Sequence, residues 1–216
     1  MAKRLTLSFD NGPTPDVTNR VLDLLRERRL RTTFFVVGVQ LQDPARRALA
    51  ERARAEGHWI GNHTLTHTVQ LGQASDARVL DAEIGATQEL LGDLAHPDRL
   101  FRPYGAGGLL GEDLLSEAAV AYMQRGGYSC VLWSSVPRDW DSSVDWVERC
   151  LAEARMQDWP LVVLHDLPDC ALARLPELLD GLTKIDVEVT QELPAACVPI
   201  HRGVVRGPLD HVVKRN

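Results

Sequence analysis

The chain has 216 residues and a formal net charge of −6, and 44% of its residues are hydrophobic while 25% are charged. This composition is typical of a globular protein, and the negative charge argues against a general nucleic-acid binder, whose surface would be basic. No apolar run approaches the roughly 18 residues that span a membrane, so we expect no membrane association.

Strand and helix signals alternate along the chain. Residues 4–10 alternate apolar and polar and predict a strand, and an amphipathic helix is predicted after Pro15. Further strands are predicted over 32–37, 58–62, 99–102, 128–134, 159–164 and 186–189, with helices over 44–56, 76–92, 111–125, 143–156 and 171–182. The alternation predicts right-handed crossovers and a parallel sheet. We expect one domain over 1–216, a closed or nearly closed barrel, with a tail over 192–216 that packs on it.

The N-terminus and the cysteines indicate a cytoplasmic protein. The first residues pass directly into a predicted strand, without the apolar stretch of a signal peptide. The cysteines form no C-x-x-C pair and are widely spaced, at Cys130, Cys150, Cys170 and Cys197. Without a secretory signal, reduced thiols are favoured over two disulfides.

Polar side chains follow several of the predicted strands. Asp10 ends the first strand and precedes Asn11, Gly12 and Pro13, which could form a simple turn or could bring a carboxylate and an amide to a catalytic mouth. In a barrel, the carboxyl ends of the strands meet at one face, where active sites are built. The sequence therefore favours an enzyme.

Two histidines follow the third predicted strand. His63 and His67 are four residues apart, the spacing with which one helical turn presents two imidazoles to a metal ion. The same segment could instead be a capped surface turn, since Asn62 and Thr64 are capping residues. A third ligand from elsewhere in the chain would favour the metal site.

Later strands end in further charged and aromatic residues. Arg102 precedes Pro103, which fixes the local backbone and suggests a placed side chain. Trp140 could be a core residue or could line a cleft. His165 ends the most apolar strand, and a histidine at the carboxyl end of a barrel strand is typical of catalysis.

In chain order, these clusters resemble the five motifs of the polysaccharide deacetylase family, also called the NodB-homology family or carbohydrate esterase family four. The matching stretches are Ser8–Pro13, His63–His67, Arg102–Tyr104, Arg138–Trp140 and Leu164–Asp166. The strand that ends at Gly38 and the approach from Gly57 to His63 also match. The resemblance extends over residues 5–166 and implies an α/β fold, the distorted (β/α)7 barrel of the NodB-homology type.

The resemblance implies a hydrolase that removes an N-acetyl group from an amino sugar or a short chitooligosaccharide by metal-assisted attack of water. Asp10 would be the general base, oriented by Arg102. His165 would be the general acid, tuned by Asp139. Amide hydrolysis needs an activated water and a proton for the departing amine, so these roles agree with the chemistry.

The resemblance also implies a divalent metal, usually zinc, and a set of substrate contacts. The metal ligands would be His63, His67 and the residue at position 11. Substrate contacts would come from Tyr104, through its backbone N–H, and from Trp140 and Leu164. The partner would be a small molecule or an oligosaccharide.

One residue departs from the family pattern. The motif Phe-Asp-Asp-Gly-Pro places a metal-binding aspartate where this chain has Asn11. An amide oxygen can coordinate zinc but carries no charge, so zinc affinity should fall. Three hypotheses stay open: a working metal-dependent deacetylase, a metal-independent hydrolase of a non-sugar amide, and a catalytically weakened sugar-binding relative.

Overall fold

The first strand, β1 (Lys3–Asp10), pairs with three other strands in the computed structural model, which describes residues 3–214. Along β1 both faces are buried, as in a parallel sheet covered by helices. Leu5, Leu7 and Phe9 belong to the core beneath the helices. The alternate residues, among them Ser8 and Asp10, are also buried and face the inside of the sheet.

Parallel pairing joins the main strands into a curved sheet. The strands joined in this way are β2 (Thr33–Val36), β3 (Trp59–Asn62), β4 (Leu100–Phe101), β6 (Ser129–Cys130) and β7 (Leu161–His165), whereas β5 (Leu115–Ser116) lies outside this sheet. In the order of the sheet, β2 pairs with β1 and β3, and β4 lies between β3 and β6. On its other edge, β1 pairs with β7.

The sheet closes where the chain after β6 meets β7. A single parallel bridge joins Ser135 to Val162, and Val163 donates a backbone hydrogen bond to Ser135 at 3.0 Å. The predicted barrel is therefore present, and it is distorted because its last joint is one bridge rather than a strand ladder.

The last predicted strand occupies a different place from a full barrel strand. β8 (Val187–Thr190) pairs with the first half of β1, from Lys3 to Thr6. Thr6 pairs with β8 on one edge of β1 and with β7 on the opposite edge. β8 therefore lies on the edge of β1 where β2 pairs further along the strand. The seventh strand thus fills only the amino-terminal half of a barrel position.

In the described part of the chain, seven α-helices surround the sheet: α1 (Thr18–Glu27), α2 (Pro44–Ala55), α3 (Ala77–Leu80), α4 (Ala86–Leu91), α5 (Glu117–Arg125), α6 (Trp146–Met156) and α7 (Leu175–Lys184). Asp43 caps α2 by accepting a hydrogen bond from the Ala45 amide at 2.8 Å, and Pro44 occupies the first turn. A π-helical turn over Asp81–Gly85 joins α3 to α4. None of the helices described here is long and apolar enough to cross a membrane.

The helix predicted over 111–125 begins later than expected. Leu115 and Ser116 form β5, which pairs with β11 (Val213–Lys214) from the end of the described chain. The Ser116 hydroxyl then caps α5 by accepting from the Ala119 amide at 3.1 Å. Local sequence could not reveal a strand whose partner is so distant.

Of the tail predicted over 192–216, residues 192–214 extend the sheet and close one side of the core, whereas 215–216 lie outside the described residues. β9 (Ile200–His201) pairs antiparallel with β6, and β10 (Val204–Val205) pairs antiparallel with β9. Cys197, Ile200 and Val212 are buried in the second core cluster. All four cysteines are buried and free.

Candidate active site

A cavity of about 270 Å³ opens at the carboxyl ends of β1, β3 and β7. Seven of the residues predicted from the sequence line it: Asp10, Asn11, His63, His67, Tyr104, Trp140 and His165. Two more, Arg102 and Asp139, lie directly behind this lining and hold it in place. The structure therefore brings together residues that are far apart in the sequence.

On one side of the cavity, a buried arginine holds Asp10. The Arg102 guanidinium is completely buried and donates from Nη1 to Asp10 Oδ1 at 2.7 Å. The same nitrogen reaches Ser8 Oγ at 2.7 Å, and the guanidinium lies 3.9 Å above the centre of the Phe35 ring. Asp10 is therefore fixed by a charge-assisted bond that leaves its second oxygen toward the cavity.

On the other side, a buried carboxylate holds His165. Asp139 Oδ1 lies 2.8 Å from His165 Nδ1, and Oδ2 accepts from the backbone amides of His165 and Ala171 at 2.8 and 3.1 Å. Burial alone would lower the pKa of His165, but the hydrogen bond and charge of Asp139 outweigh it, so that the pKa is raised. The edge of Trp140 packs on the imidazole, with ring centres 4.9 Å apart.

The two histidines of the third motif lie between these pairs. His63 Nδ1 donates to the Arg102 carbonyl at 2.9 Å, which leaves Nε2 unprotonated in the neutral ring. Nε2 faces Asp10 Oδ2 at 3.5 Å. The His67 ring lies 4.7 Å from that of His63. Burial lowers the pKa of both rings, that of His67 to about 3, so both are neutral and able to bind a cation.

Asn11 completes the set of possible metal donors. Its Oδ1 is buried without a hydrogen-bond partner, and its backbone is left-handed, with φ of 76°. No group of three or more His, Cys, Asp or Glu residues within 3–214 could hold a metal. With Asn11 counted as an oxygen donor, however, its unpaired Oδ1 lines the same cavity as the neutral imidazoles of His63 and His67. Three acceptors cannot form hydrogen bonds with one another, whereas a divalent cation can bind all three.

Tyr104 lies beside the second histidine. Its ring meets His67 edge to face, with centres 4.4 Å apart. The following glycines wrap around Trp133, whose indole nitrogen donates to the Gly108 carbonyl at 2.9 Å. The tyrosine side chain thus lines the cavity, and the role of its backbone N–H stays a prediction.

The predicted contact by Leu164 is wrong. Its side chain is completely buried in the core cluster beneath the helices and does not line the cavity. Successive residues of a strand face opposite sides, so Val163 and His165 face the cavity while Leu164 faces the helices. This alternation, counted back from His165, could have identified Val163. Sequence reasoning also missed Trp133, Leu167 and Cys170, which line the cavity.

Asp166 faces away from the cavity, against the loop that carries Asn11. The hydroxyl of Thr18 donates to it, and burial raises its pKa to about 6. A Cβ on Gly12 would lie 2.1 Å from one oxygen of this carboxyl, so only glycine fits there.

Comparisons with known proteins identify the family and the fold. The family description "Polysaccharide deacetylase" matches residues 1–128. A chitooligosaccharide deacetylase of Rhizobium leguminosarum bv. trifolii is 37% identical over 171 residues, 76% of this chain and 72% of its own. A peptidoglycan-N-acetylglucosamine deacetylase of Bacillus cereus is 33% identical over 169 residues, 76% of this chain and 73% of its own. The family 4 carbohydrate esterase of Streptomyces lividans, solved with acetate, superimposes with a TM-score of 0.72 at 26% identity, covering 92% of this chain and 97% of its own.

Proposed function

Because this chain belongs to the polysaccharide deacetylase family, and is an amide hydrolase of the deacetylase type, we propose that it removes the N-acetyl group of an amino sugar or a short chitooligosaccharide. One observation carries the proposal. Asp10 and His165 are direct partners in the register of β1 and β7, and both line the same cavity. A base and an acid are therefore placed side by side, as hydrolysis of an amide requires.

Asp10 acts as the general base. Arg102 keeps Asp10 Oδ1 occupied at 2.7 Å and holds the side chain in one orientation. The other oxygen takes a proton from the attacking water, which becomes nucleophilic as the proton leaves. Burial lowers the pKa of the nearby His63 imidazole, so this ring is a poor proton acceptor and does not compete for the role.

His165 acts as the general acid. Asp139 accepts from Nδ1 and raises the pKa of the ring, so the imidazolium form is available to give its other proton to the departing amine. The carbonyl oxygen becomes negative as water attacks, and the backbone N–H of Tyr104 is proposed to donate to it.

His63, His67 and Asn11 would hold the divalent metal, which we propose to be zinc. When bound, the ion would polarise the carbonyl and lower the pKa of the water. Two imidazoles and one amide give the ion no negative charge, whereas the family motif supplies a carboxylate at position 11. We therefore expect this site to bind zinc more weakly than one with aspartate there.

The amino-sugar substrate is supported by the relatives, which are named for chitooligosaccharides and for N-acetylglucosamine in peptidoglycan. The lining of the cavity is compatible with an acetyl group, because Val163, Trp133 and Trp140 give it apolar walls. Acetate release from N-acetylglucosamine oligomers, measured with added zinc and again after chelation, tests the proposal. No acetate from any oligomer would overturn it.

Asn11 also supports a second candidate, a metal-independent hydrolase of a non-sugar amide. The Asp10–Arg102 and His165–Asp139 pairs need no metal to form. Full turnover of metal-free protein would favour this candidate, whereas turnover that returns only with zinc would exclude it. An Asn11→Asp variant sharpens the comparison, since the added carboxylate should raise zinc affinity if position 11 faces the ion. Sugar binding without turnover under all these conditions would indicate a sugar-binding relative.

A further inference from the structure

Glu83 is a buried carboxylate outside the cavity that touches the turn between the two histidines. It lies in the π-helical turn Asp81–Gly85 and is 5% exposed. Its Oε2 accepts from the backbone amides of Leu65 and Thr66 at 3.0 and 3.1 Å. Its Oε1 accepts from the Thr66 hydroxyl at 2.8 Å. Both carboxylate oxygens therefore accept hydrogen bonds from the segment that connects His63 to His67.

The turn needs such support because its backbone is strained. Thr64 and His67 both have left-handed backbones, with φ of 63° and 56°, and neither is glycine. Residues in this region persist only where surrounding contacts hold them. Thr64 contributes within the turn, since its hydroxyl accepts from the His67 amide at 3.1 Å. Glu83 accepts hydrogen bonds from the remaining amides of the turn, those of Leu65 and Thr66.

The π-helical turn connects Glu83 rigidly to the strand that carries the first histidine. Asn62, the last residue of β3, donates from Nδ2 to the Ile84 carbonyl at 2.9 Å and accepts at Oδ1 from the Thr64 amide at 3.0 Å. The Glu83 carbonyl accepts from the Thr87 hydroxyl at 3.2 Å. A π-helical turn is an irregularity that often accompanies functional sites, because it redirects a side chain. Here it directs a carboxylate toward the turn.

A carboxylate suits this position better than an amide would. Three donors converge on Glu83, and both oxygens accept, whereas glutamine offers only one oxygen, and its NH₂ group would require the Thr66 hydroxyl to turn around and accept. Within residues 3–214 the hydrogen bonds to the Glu83 carboxylate all come from the turn between the histidines. Burying a carboxylate is costly unless it is hydrogen-bonded, and this turn supplies those bonds.

We propose that Glu83 is a positioning residue, which fixes His67 relative to His63 so that the two imidazoles bind a divalent cation together. This inference rests on the proposed function. Glu83 does not line the cavity, so it acts only through the turn. Loss of the carboxylate should free the Leu65 and Thr66 amides and increase the motion of His67. Metal affinity should fall because the second ligand must then be ordered on binding.

The test uses the full-length protein with Glu83→Gln and, as a matched control, Glu56→Gln. Glu56 is a half-buried carboxylate paired with Arg52 at the end of α2, away from the cavity. Zinc binding is measured by calorimetry, the Leu65 and Thr66 amides by hydrogen exchange, and the ligand geometry by the absorption spectrum of the cobalt(II) protein. For Glu83→Gln we expect zinc affinity about tenfold lower or more, faster exchange at both amides and an altered cobalt spectrum. Glu56→Gln should match the wild type in all three.

The outcomes separate this inference from the proposed function. If wild-type protein binds zinc and Glu83→Gln binds it equally well, with unchanged exchange and cobalt spectrum, the role of Glu83 is overturned while the proposed function stands. If wild-type protein binds no zinc, the metal-dependent function and the role of Glu83 both fail. If Glu83→Gln does not fold, Thr66→Val decides, because it removes a single donor from an exposed residue. That variant should bind zinc roughly threefold more weakly, and unchanged affinity would overturn the proposal.

Discussion

The two sides of the cavity differ in how the reacting group is held. Asp10 is an anion held by a cation, since Arg102 lies completely buried behind it. His165 is a potential cation held by an anion, since Asp139 accepts from its ring and backbone. The two reacting groups are direct neighbours across β1 and β7. The chain thus gives adjacent groups opposite environments by placing an opposite charge behind each.

This difference explains how one small cavity can hold a base and an acid together. A carboxylate beside a guanidinium stays ready to accept a proton, and an imidazole beside a carboxylate stays ready to give one. The imidazoles of His63 and His67, which lie between Asp10 and His165, act neither as base nor as acid, because burial lowers their pKa and keeps them neutral. Variants that exchange or remove the supporting charges should therefore affect the two sides in different ways.

The largest effect is expected when the base itself is removed. Asp10→Asn keeps the shape of the side chain but cannot take a proton, so kcat should fall about 10³-fold. Acetate release from an N-acetylglucosamine oligomer measures the loss, and circular dichroism checks that the variant is folded. A loss of less than about tenfold would show that another group acts as the base.

Removing the cation behind the base should destabilise the whole fold. Arg102→Met leaves Asp10 as a buried charge without its partner, so the free energy of unfolding should fall by about 3–5 kcal/mol. Urea denaturation followed by fluorescence measures this change. The double variant Arg102→Met with Asp10→Asn should recover part of the stability, because the uncompensated charge is then gone. An unchanged free energy of unfolding in Arg102→Met would contradict the pairing.

Removing the anion behind the acid should change the pH profile more than the stability. In Asp139→Asn the pKa of His165 should fall, because burial is then no longer outweighed by Asp139. A general acid must be protonated, so the alkaline limb of kcat should move to lower pH. The raised pKa also stabilises the fold below the unfolded pKa of about 6.5, a contribution lost as pH rises through the folded pKa. Equal alkaline limbs in variant and wild type would refute this role.

The smallest effect is expected from the aromatic wall on the acid side. Trp140 is 39% exposed and meets the His165 ring in a T-shaped contact. Trp140→Phe keeps an aromatic ring but removes part of this contact, so kcat/KM should fall about two- to tenfold. Steady-state kinetics with a short oligomer measures it, with the exposed Met156→Ala as a control that should match the wild type.

Much of the site could be predicted from the sequence, because short apolar runs mark the strands and the polar residues that end them mark the catalytic face. Asp10 and His165 end their strands and His63 directly follows its strand, and the structure gathers all three at one cavity. The cap of α2 is likewise a local signal, since Asp43 and Pro44 act within one turn. Local rules of this kind need no knowledge of distant residues.

The sequence by itself determined the alternation of strands and helices and the residue types at the strand ends. Only the tertiary structure decided that Ser135 closes the sheet against β7 and that Glu83 supports the turn between the histidines. Each of these depends on register or on hydrogen bonds between segments far apart in the chain. Periodicity records which face of an element is apolar, whereas the partner of that face is set by packing and by the need to satisfy every buried polar group.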